Sequence, residues 1–373
     1  MITKKIKVLV VDDTIVYRKA VSDVLAEIPG VDVVGVAHNG KIAVSKIRTL
    51  KPDLLTLDIE MPEMNGIEVL EWIQKNQPDV SAIMVSTLTS EGGHMTMKAL
   101  ELGAYDFLLK PNTTNIVESK KQLRSMLTPL IKAFQTGRTT VGSMRGKPQA
   151  RRPTPQARSR TAVRPAAGAP TSPGRTAVRR GKSEIVAIGI STGGPNALSR
   201  MLPMLPADLG VPVVLVQHMP PVFTKSLASS LDAKCKLSVK EAEDGEAIQA
   251  NVVYVAPGGK QMKLVASTDG QNRLIRITND PPENSCRPAV DYLFRSVADY
   301  YVGRTTAVIM TGMGMDGTKG LAVLKQKGAI VIGQDKASCV VYGMPKAPAE
   351  RGLVDVVAPL DKIASEIVKT VKG

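Results

Sequence analysis

Apolar residues in the first third of the chain form short runs that alternate with segments of helical period. Between the first two runs, Val16, Ala20, Val21, Val24 and Ile28 recur at helical spacing and predict one buried helix face. Five strand–helix repeats predict a doubly wound, mostly parallel α/β domain of the flavodoxin type over residues 1–134. The five runs are Lys7–Val11, Val31–Ala37, Asp53–Leu57, Ala82–Ser86 and Asp106–Leu109, and the closing helix face is Leu123, Met126, Leu127, Leu130 and Phe134.

The same alternation returns in residues 183–373. Apolar runs at 184–192, 213–217 and Ala307–Thr311 are typical of buried parallel strands. Two further runs, Lys263–Ala266 and Arg273–Ile277, flank an Asp-Gly turn and predict a β-hairpin. The pattern therefore predicts a second doubly wound, three-layer α/β domain, Rossmann-like and mostly parallel, with a hairpin attached. Other predicted elements are Asn196–Leu205, Asn251–Ala256, Met262–Ala266, Thr318–Gln326, Ala329–Gly333 and Leu360–Val371.

Residues 135–182 separate the two domains and carry most of the excess charge. The chain has 49 Lys and Arg against 34 Asp and Glu, a net charge of +15. Twelve of the basic residues and no acidic residue fall within 137–182, which also lacks Leu, Ile, Phe, Tyr and Trp. Such a segment cannot bury a core and is expected to be disordered and extended. It is either a solubilising linker or an electrostatic tether to an anionic partner.

Composition narrows the class of protein. Hydrophobic residues make up 43% of the 373 residues, which is ample for two buried cores. No apolar run reaches the roughly 18 residues of a membrane-spanning helix, and the start of the chain has no signal-peptide pattern. The three cysteines form no CxxC pair, which fits a reducing compartment. The expected location is therefore the cytoplasm.

Acidic and basic side chains follow the predicted strands of the first domain. Asp12 and Asp13 follow the first strand, Asp58 the third, Ser86 ends the fourth and Lys110 follows the fifth. Ligand sites in doubly wound sheets lie at the carboxyl ends of the strands. Three converging carboxylates repel one another unless a hard cation such as Mg²⁺ neutralises them. The pattern predicts phosphoryl transfer to Asp58, with Asp12, Asp13 and Asp58 at the metal.

Each of these residues also has an ordinary structural explanation, since an aspartate after a strand is often only a helix cap. The joint pattern resembles the receiver domain of bacterial response regulators over residues 5–125. The resemblance implies that Asp58 is the phosphoacceptor, that Ser86 and Lys110 are switch residues, and that Phe107 occupies the aromatic switch position. A buried strand residue is the alternative for Phe107.

The second domain carries Gly189-x-Ser191-x-Gly193 directly after a predicted buried strand. This spacing matches the elbow that exposes a serine nucleophile, and the amides beyond it can face an oxyanion. A nucleotide-binding glycine loop and a purely structural turn are the alternatives. The pattern G-x-G-x-x-G is absent at this loop, which disfavours nucleotide binding.

A serine nucleophile needs a base, and His218 is the one histidine of this domain. It follows the 213–217 run, so it can meet Ser191 at one edge of a parallel sheet. Asp316 lies in the glycine-rich loop after Ala307–Thr311 and is the candidate orienting carboxylate, with Met313 among the candidate oxyanion donors. A cap of the helix Thr318–Gln326 is the alternative role for Asp316.

The segments GISTGGP, VQHMP, TGMGMDG, NSCRPAVDYLF and ASCVVYGMP resemble the catalytic domain of chemotaxis protein-glutamate methylesterases over residues 183–370. The resemblance implies a Ser191–His218–Asp316 esterase with Met313 as oxyanion donor and Thr192 supporting His218. Mg²⁺ is implied for phosphorylation only, and no cofactor for ester hydrolysis. Cys286 departs from relatives that carry histidine there; as an alternative nucleophile it lacks a spare histidine to activate it.

The resemblance also implies partners. The expected substrates are methyl-accepting chemotaxis receptors, which would bring the protein to the membrane periphery, and the expected phosphodonor is a chemotaxis histidine kinase. Receptor glutamine deamidation, a receiver that covers the active site and a monomeric state are further expectations.

Two other functions compete with this one. A DNA-binding response regulator would explain the basic charge, but the second half lacks a helix-turn-helix pattern and a basic folded domain, so no nucleic-acid partner is expected. A non-catalytic output domain, or another kind of serine hydrolase, is the remaining alternative.

Overall fold

The computed structural model describes residues 5–113, 115–144 and 181–373, with side chains described only to residue 136 in the helix that ends at 144. Most of the predicted basic linker lies outside these residues. Among them, no helix has the length and apolar character needed to cross a membrane.

The first domain is a parallel sheet of five strands, β1 to β5, in the order β2-β1-β3-β4-β5. Alternating helices α1 to α5 cover both faces, as the sequence pattern predicts. The elements are β1 Ile6–Val11, α1 Ile15–Ala26, β2 Val31–Ala37, α2 Gly40–Leu50, β3 Leu54–Asp58, α3 Gly66–Asn76, β4 Ser81–Ser86, α4 Ser90–Glu101, β5 Asp106–Leu109 and α5 Ile116–Met144.

Short polar side chains start three of these helices just beyond the strand ends. The Asn39 side chain accepts from the Ile42 amide, and Thr89 accepts from the Gly92 amide. Asn65 and Glu68 form a reciprocal capping box. These caps fix the points at which the chain leaves the functional edge of the sheet.

The second domain contains a seven-stranded sheet in which every pairing is parallel, in the order β14-β13-β12-β6-β7-β9-β8. The predicted hairpin, β10 and β11, forms a separate two-stranded sheet. The elements are β6 Ile185–Ile190, α6 Gly194–Met201, β7 Val213–Gln217, α7 Phe223–Asp232, β8 Ser238–Glu241, β9 Val252–Val255, β10 Gln261–Ala266, β11 Arg273–Thr278, α8 Val290–Tyr300, β12 Thr305–Ile309, α9 Thr318–Gln326, β13 Ile330–Gln334, α10 Lys346–Glu350, β14 Val356–Ala358 and α11 Leu360–Lys372.

The predicted fold class, two doubly wound α/β domains, is confirmed. Elements that the hydrophobic pattern did not indicate are short or half-exposed, such as β8 with one buried residue and the three-residue β14. Helix α5 runs to Met144, past the domain end predicted at residue 134. The domain boundaries otherwise stay predictions.

The receiver-like domain packs on the second domain through α4 and β5. The rings of Phe107 and Phe223 stack with centroids 4.9 Å apart. The Asn196 side-chain amide donates to the Ala104 carbonyl at 3.0 Å, and Lys234 pairs with Glu101 at 2.5 Å. This contact brings β5 to the loop that carries Ser191.

Candidate active site and phosphorylation site

The predicted phosphorylation site is assembled at the carboxyl end of the first sheet. Asp12 and Asp58 are almost fully buried, whereas Asp13 is exposed. Lys110 lies between the two buried carboxylates, with its Nζ 2.6 Å from Asp58 Oδ2 and 3.1 Å from Asp12 Oδ2. Four of the predicted residues therefore lie together as expected.

This cluster fits a divalent cation. One carboxylate oxygen from each of Asp12, Asp13 and Asp58 lies within 4.8 Å of the others. Burial raises the pKa of Asp58 to about 6 despite the Lys110 charge, and the two neighbouring aspartates add to the rise. A buried acidic cluster with a single amine needs further positive charge to stay ionised.

Two of the three predicted switch residues, Ser86 and Phe107, contact α4 or the second domain. The Ser86 hydroxyl is buried, accepts from the Thr96 hydroxyl at 2.9 Å and lies 3.3 Å from the Gly92 carbonyl. Phe107 is half-buried and stacks on Phe223 of the second domain. Both side chains are therefore engaged with α4 or with the domain interface.

Ser191 follows β6, in the turn that starts α6. Gly193 has φ +73°, the left-handed region that favours glycine, and it begins the helix. Gly312, in the loop after β12, lies against Ser191, since a Cβ there would be 2.7 Å from Ser191 Cβ. The Ser191 amide also donates to the Thr311 carbonyl at 3.0 Å. The elbow is thus held by the neighbouring β12 loop.

His218 follows β7, the strand next to β6, and faces the loop after β12. Its Nε2 lies 2.8 Å from Asp316 Oδ2. Burial alone would lower the pKa of His218, but the interactions with Asp316 and Cys286 outweigh it and raise the pKa to about 9. The imidazole is therefore a stronger base than an exposed histidine.

Asp316 is buried and caps α8 rather than α9. Its Oδ2 accepts from the Val290 amide at 2.7 Å, and its Oδ1 accepts from the Asp291 amide at 3.1 Å. Burial would raise the pKa of Asp316, but the His218 hydrogen bond and these two amides hold it below its usual range. The carboxylate stays charged opposite His218, aided by the positive end of the helix.

The sequence did not indicate two residues that support Asp316, namely Asn284 and Asp291. The Asn284 side chain donates to Asp316 Oδ1 at 2.8 Å and to Asp291 Oδ2 at 3.0 Å. Asp291 Oδ1 in turn accepts from the Gly320 amide at 2.7 Å. Asn284 has φ +51° in an irregular loop, and no hydrophobic period marks such a position.

The structure brings the remaining site residues to one cavity without joining all of them by hydrogen bonds. A cavity of about 250 Å³ is lined by Ser191, Thr192, His218 and Met313, among others. Among the described residues, no side-chain hydrogen bond links Ser191 or Thr192 to His218. Catalytic hydrogen bonds often tighten only when substrate binds. The nucleophile role of Ser191 and the supporting role of Thr192 therefore stay predictions.

The receiver-like domain contributes part of the lining of this cavity. Residues of β5 and α5, including Phe107, Leu109 and Pro129, line the cavity together with Ser191 and His218. Asp106 is buried in the interface, and its Oδ2 accepts from the Gly193 amide at 3.3 Å. The receiver-like domain therefore lines the predicted active-site cavity and contacts the loop that carries Ser191, and its role as a cover stays a prediction.

Cys286 is a further neighbour of the predicted base. Its Sγ lies 3.6 Å from Nδ1 of His218, on the ring nitrogen opposite Asp316. Sequence spacing did not place the two residues together, because 68 positions separate them along the chain.

Comparisons with known proteins agree with both halves of the architecture. The family model for CheB methylesterase matches residues 186–367, and the response regulator receiver domain model matches residues 8–124. The protein-glutamate methylesterase/protein-glutamine glutaminase of Desulfotalea psychrophila is 60% identical over 370 residues, 99% of each chain. The protein of the same name from Geobacillus kaustophilus is 44% identical over 369 residues, also 99% of each chain.

Among solved structures, the Thermotoga maritima CheB methylesterase catalytic domain is 46% identical and covers 50% of this chain and 98% of its own, with a TM-score of 0.49. The full-length relatives confirm the predicted resemblance and favour it over a non-catalytic or different hydrolase output domain. The chain therefore belongs to the CheB protein-glutamate methylesterase/protein-glutamine glutaminase family, in which a receiver domain precedes the methylesterase domain.

Proposed function

We propose that this enzyme is a phosphorylation-regulated hydrolase that cleaves glutamate γ-methyl esters on chemotaxis receptors and deamidates receptor glutamines. The observation that carries the proposal is the His218–Asp316 pair, whose histidine lines one cavity together with Ser191 and residues of the receiver domain. In this proposal His218 is the base, Asp316 the orienting carboxylate and Ser191 the attacking hydroxyl. Because the receiver domain also lines this cavity, a change in the domain contact could regulate access to Ser191.

Ester cleavage starts at Ser191. His218 Nδ1, the nitrogen that Asp316 leaves free, accepts the hydroxyl proton as the serine oxygen attacks the ester carbonyl carbon. The Met313 amide is the proposed donor to the oxyanion, and Thr192 is proposed to support His218. The carbon–oxygen bond to the methoxy group then breaks, and the imidazolium returns its proton so that methanol leaves.

Water completes the reaction. His218 removes a proton from a water molecule, which attacks the acyl-enzyme carbonyl and releases glutamate and the Ser191 hydroxyl. With a glutamine substrate the same steps release ammonia in place of methanol. No metal or other cofactor takes part in this proposal.

Regulation is proposed to begin at Asp58, with a chemotaxis histidine kinase as phosphodonor. A Mg²⁺ ion bound by Asp12, Asp13 and Asp58 would neutralise charge on the phosphoryl group and the carboxylates. Lys110, now 2.6 Å from Asp58, can instead bind a phosphoryl oxygen. Ser86 and Phe107 would then reorient and loosen the contact with Phe223.

The remaining expectations complete the proposal. The protein would act as a cytoplasmic monomer, at the membrane periphery through its receptors and without a nucleic-acid partner. The basic linker accounts for 12 of the 15 net positive charges, so the folded domains need no nucleic-acid function to explain the charge.

The catalytic assignment is tested by methanol release from methylated receptor membranes. Ser191→Ala is expected to abolish release, because no other hydroxyl replaces the nucleophile. Ser229→Ala, an exposed serine of α7, is the matched control and should retain the rate. Substantial release by the Ser191 variant would refute the assignment.

The regulatory assignment is tested on the full chain with and without a small-molecule phosphodonor. The wild-type rate is expected to rise with the donor, whereas Asp58→Asn should stay at the basal rate. Asp79→Asn, an exposed loop aspartate, controls for the loss of a charge and should be activated normally. Equal activation of all three proteins would exclude Asp58 as the phosphoacceptor.

A further inference from the structure

Cys286 and His218 form a pair with the spacing of two metal ligands. The thiol Sγ and the ring Nδ1 are 3.6 Å apart. A zinc ion holds thiolate sulfur at about 2.3 Å and imidazole nitrogen at about 2.1 Å, and tetrahedral geometry then separates the two atoms by roughly 3.6 Å. The observed separation therefore leaves room for one ion bound to both atoms.

The other side of the imidazole already has the partner that a metal-bound histidine needs. Histidine ligands usually donate their second ring N–H to a carboxylate, which fixes the ring and strengthens the ligand. Here Nε2 lies 2.8 Å from Asp316 Oδ2. Asp316 is itself held by the Val290 amide and by Asn284. The ring orientation is thus set before any ion arrives.

The pair is also reachable from solvent. Cys286 is half-buried, and the His218 side chain keeps 12% of its exposure. Two protein ligands leave the other coordination positions to water. A thiolate with an imidazole favours soft or borderline ions such as Zn²⁺ over Mg²⁺ or Ca²⁺.

We propose that Cys286 and His218 form an inhibitory site for Zn²⁺ and similar thiophilic divalent ions, with Asp316 as the outer partner of the histidine. Binding releases to solvent the protons carried by the Cys286 thiol and by His218 Nδ1, and it joins the ion to Sγ and Nδ1. Inhibition follows because Nδ1 is the nitrogen that must accept the Ser191 proton. The inhibitory effect rests on the proposed function, whereas ion binding itself does not.

The first experiment measures inhibition on the full chain in zinc-buffered solutions. Methanol release is recorded for wild type, Cys286→Ser and Cys235→Ser, each relative to its own zinc-free rate. Wild type and the Cys235 variant should be inhibited alike, and the Cys286 variant should need at least about 100-fold more free Zn²⁺. Equal inhibition of all three proteins, or no inhibition of wild type, would overturn the proposal.

The second experiment does not depend on catalysis. Full-length Ser191→Ala protein is titrated with Co²⁺, and the thiolate-to-cobalt charge-transfer absorption is followed. The Ser191→Ala protein should show the band. The double variant with Cys286→Ser should lack it, and the double variant with Cys235→Ser should keep it. The receiver carboxylates also attract Co²⁺ but bring no sulfur. A band that persists without Cys286, or no band at all, would refute the site.

If esterase activity itself is missing, the cobalt result still decides whether the ion binds. A cobalt band in a protein without methanol release would retain the metal site and reject the proposed function. Methanol release without the band would do the reverse.

Discussion

At the scale of single residues, the site depends on how one buried carboxylate is satisfied. Asp316 accepts hydrogen bonds from His218, the Asn284 side chain and the amides of Val290, Asp291 and Gly317. With this many donors the carboxylate stays ionised in spite of burial. Its charge stabilises the imidazolium that forms when His218 accepts a proton.

Asp316→Asn tests that electrostatic role. The amide keeps the shape but not the charge, so the pKa of His218 should fall from about 9 toward its ordinary 6.5. The base must be neutral to act, so the rise of kcat/KM with pH should move to lower pH in the variant. The plateau rate should fall by about 10³–10⁴. The measurement is methanol release against pH, and an unchanged midpoint would contradict the pairing.

Asn284→Ala tests the residue that bridges the two buried aspartates. Without its donors, Asp291 and Asp316 face each other with fewer hydrogen bonds, which costs about 1–3 kcal/mol. That cost weakens the orientation of His218, so kcat should fall about 10- to 100-fold with little change in KM.

Ser285→Ala is the matched control for Asn284→Ala. Like Asn284, Ser285 has a positive φ angle (+63°), and its side chain is exposed. Its kcat should stay near wild type. Equal rates for the two variants would show that Asn284 does not position the base.

At the scale of elements, the loops after parallel strands bring distant residues together. Strand β12 lies beside β6, and its loop places Gly312 against Ser191. No larger residue fits, because a Cβ on Gly312 would lie 2.4 Å from Met344 Sδ as well. The nucleophile is therefore positioned from two strands at once.

Gly312→Ala should displace the elbow and reduce kcat by at least about 100-fold, since small misplacements of reacting groups are costly. Gly314→Ala in the same loop is the control. Gly314 has φ +81°, but a Cβ there meets nothing within 4 Å. That variant should lose stability, by about 1 kcal/mol or more, while keeping most of its activity. Thermal melts and methanol release separate the two effects.

The positions at the strand ends are the part of both sites whose placement could be predicted from the sequence. Asp58 ends β3 of the first sheet, whereas Ser191 and His218 follow β6 and β7 of the second, and parallel topology brings such positions to the carboxyl edge of each sheet. Asn284 and Cys286 lie in an irregular loop whose path depends on tertiary contacts. Hydrophobic period carries no information about such a loop, so their contacts with Asp316 and His218 could not be predicted.

At the scale of the whole molecule, the domain contact combines apolar stacking with a buried acid. Phe107 stacks on Phe223, while Asp106 beside it accepts from the Gly193 amide. Burial raises the pKa of Asp106 to about 7, although its two amide partners oppose the rise. A contact between domains that buries an ionisable group depends on pH.

The direction of that dependence follows from proton binding. The ordinary pKa of 3.8 applies when the domains separate and water reaches Asp106, so the closed arrangement binds the proton more tightly. Closure is therefore favoured below that ordinary value and loses stability as the pH rises through about 7. The unphosphorylated enzyme should become less inhibited over this range.

Asp106→Asn should weaken this dependence. The quantity to measure is the activation factor, the ratio of methanol release with and without phosphodonor, because titration of His218 affects both rates. The wild-type factor should fall as the pH rises through about 7. The amide oxygen that replaces the carboxylate can still accept from Gly193 but does not titrate, so the variant's factor should fall less than that of wild type over this range. The activation factor of Asp79→Asn should follow that of wild type. Equal pH dependence of the factor in all three proteins would show that Asp106 does not control closure.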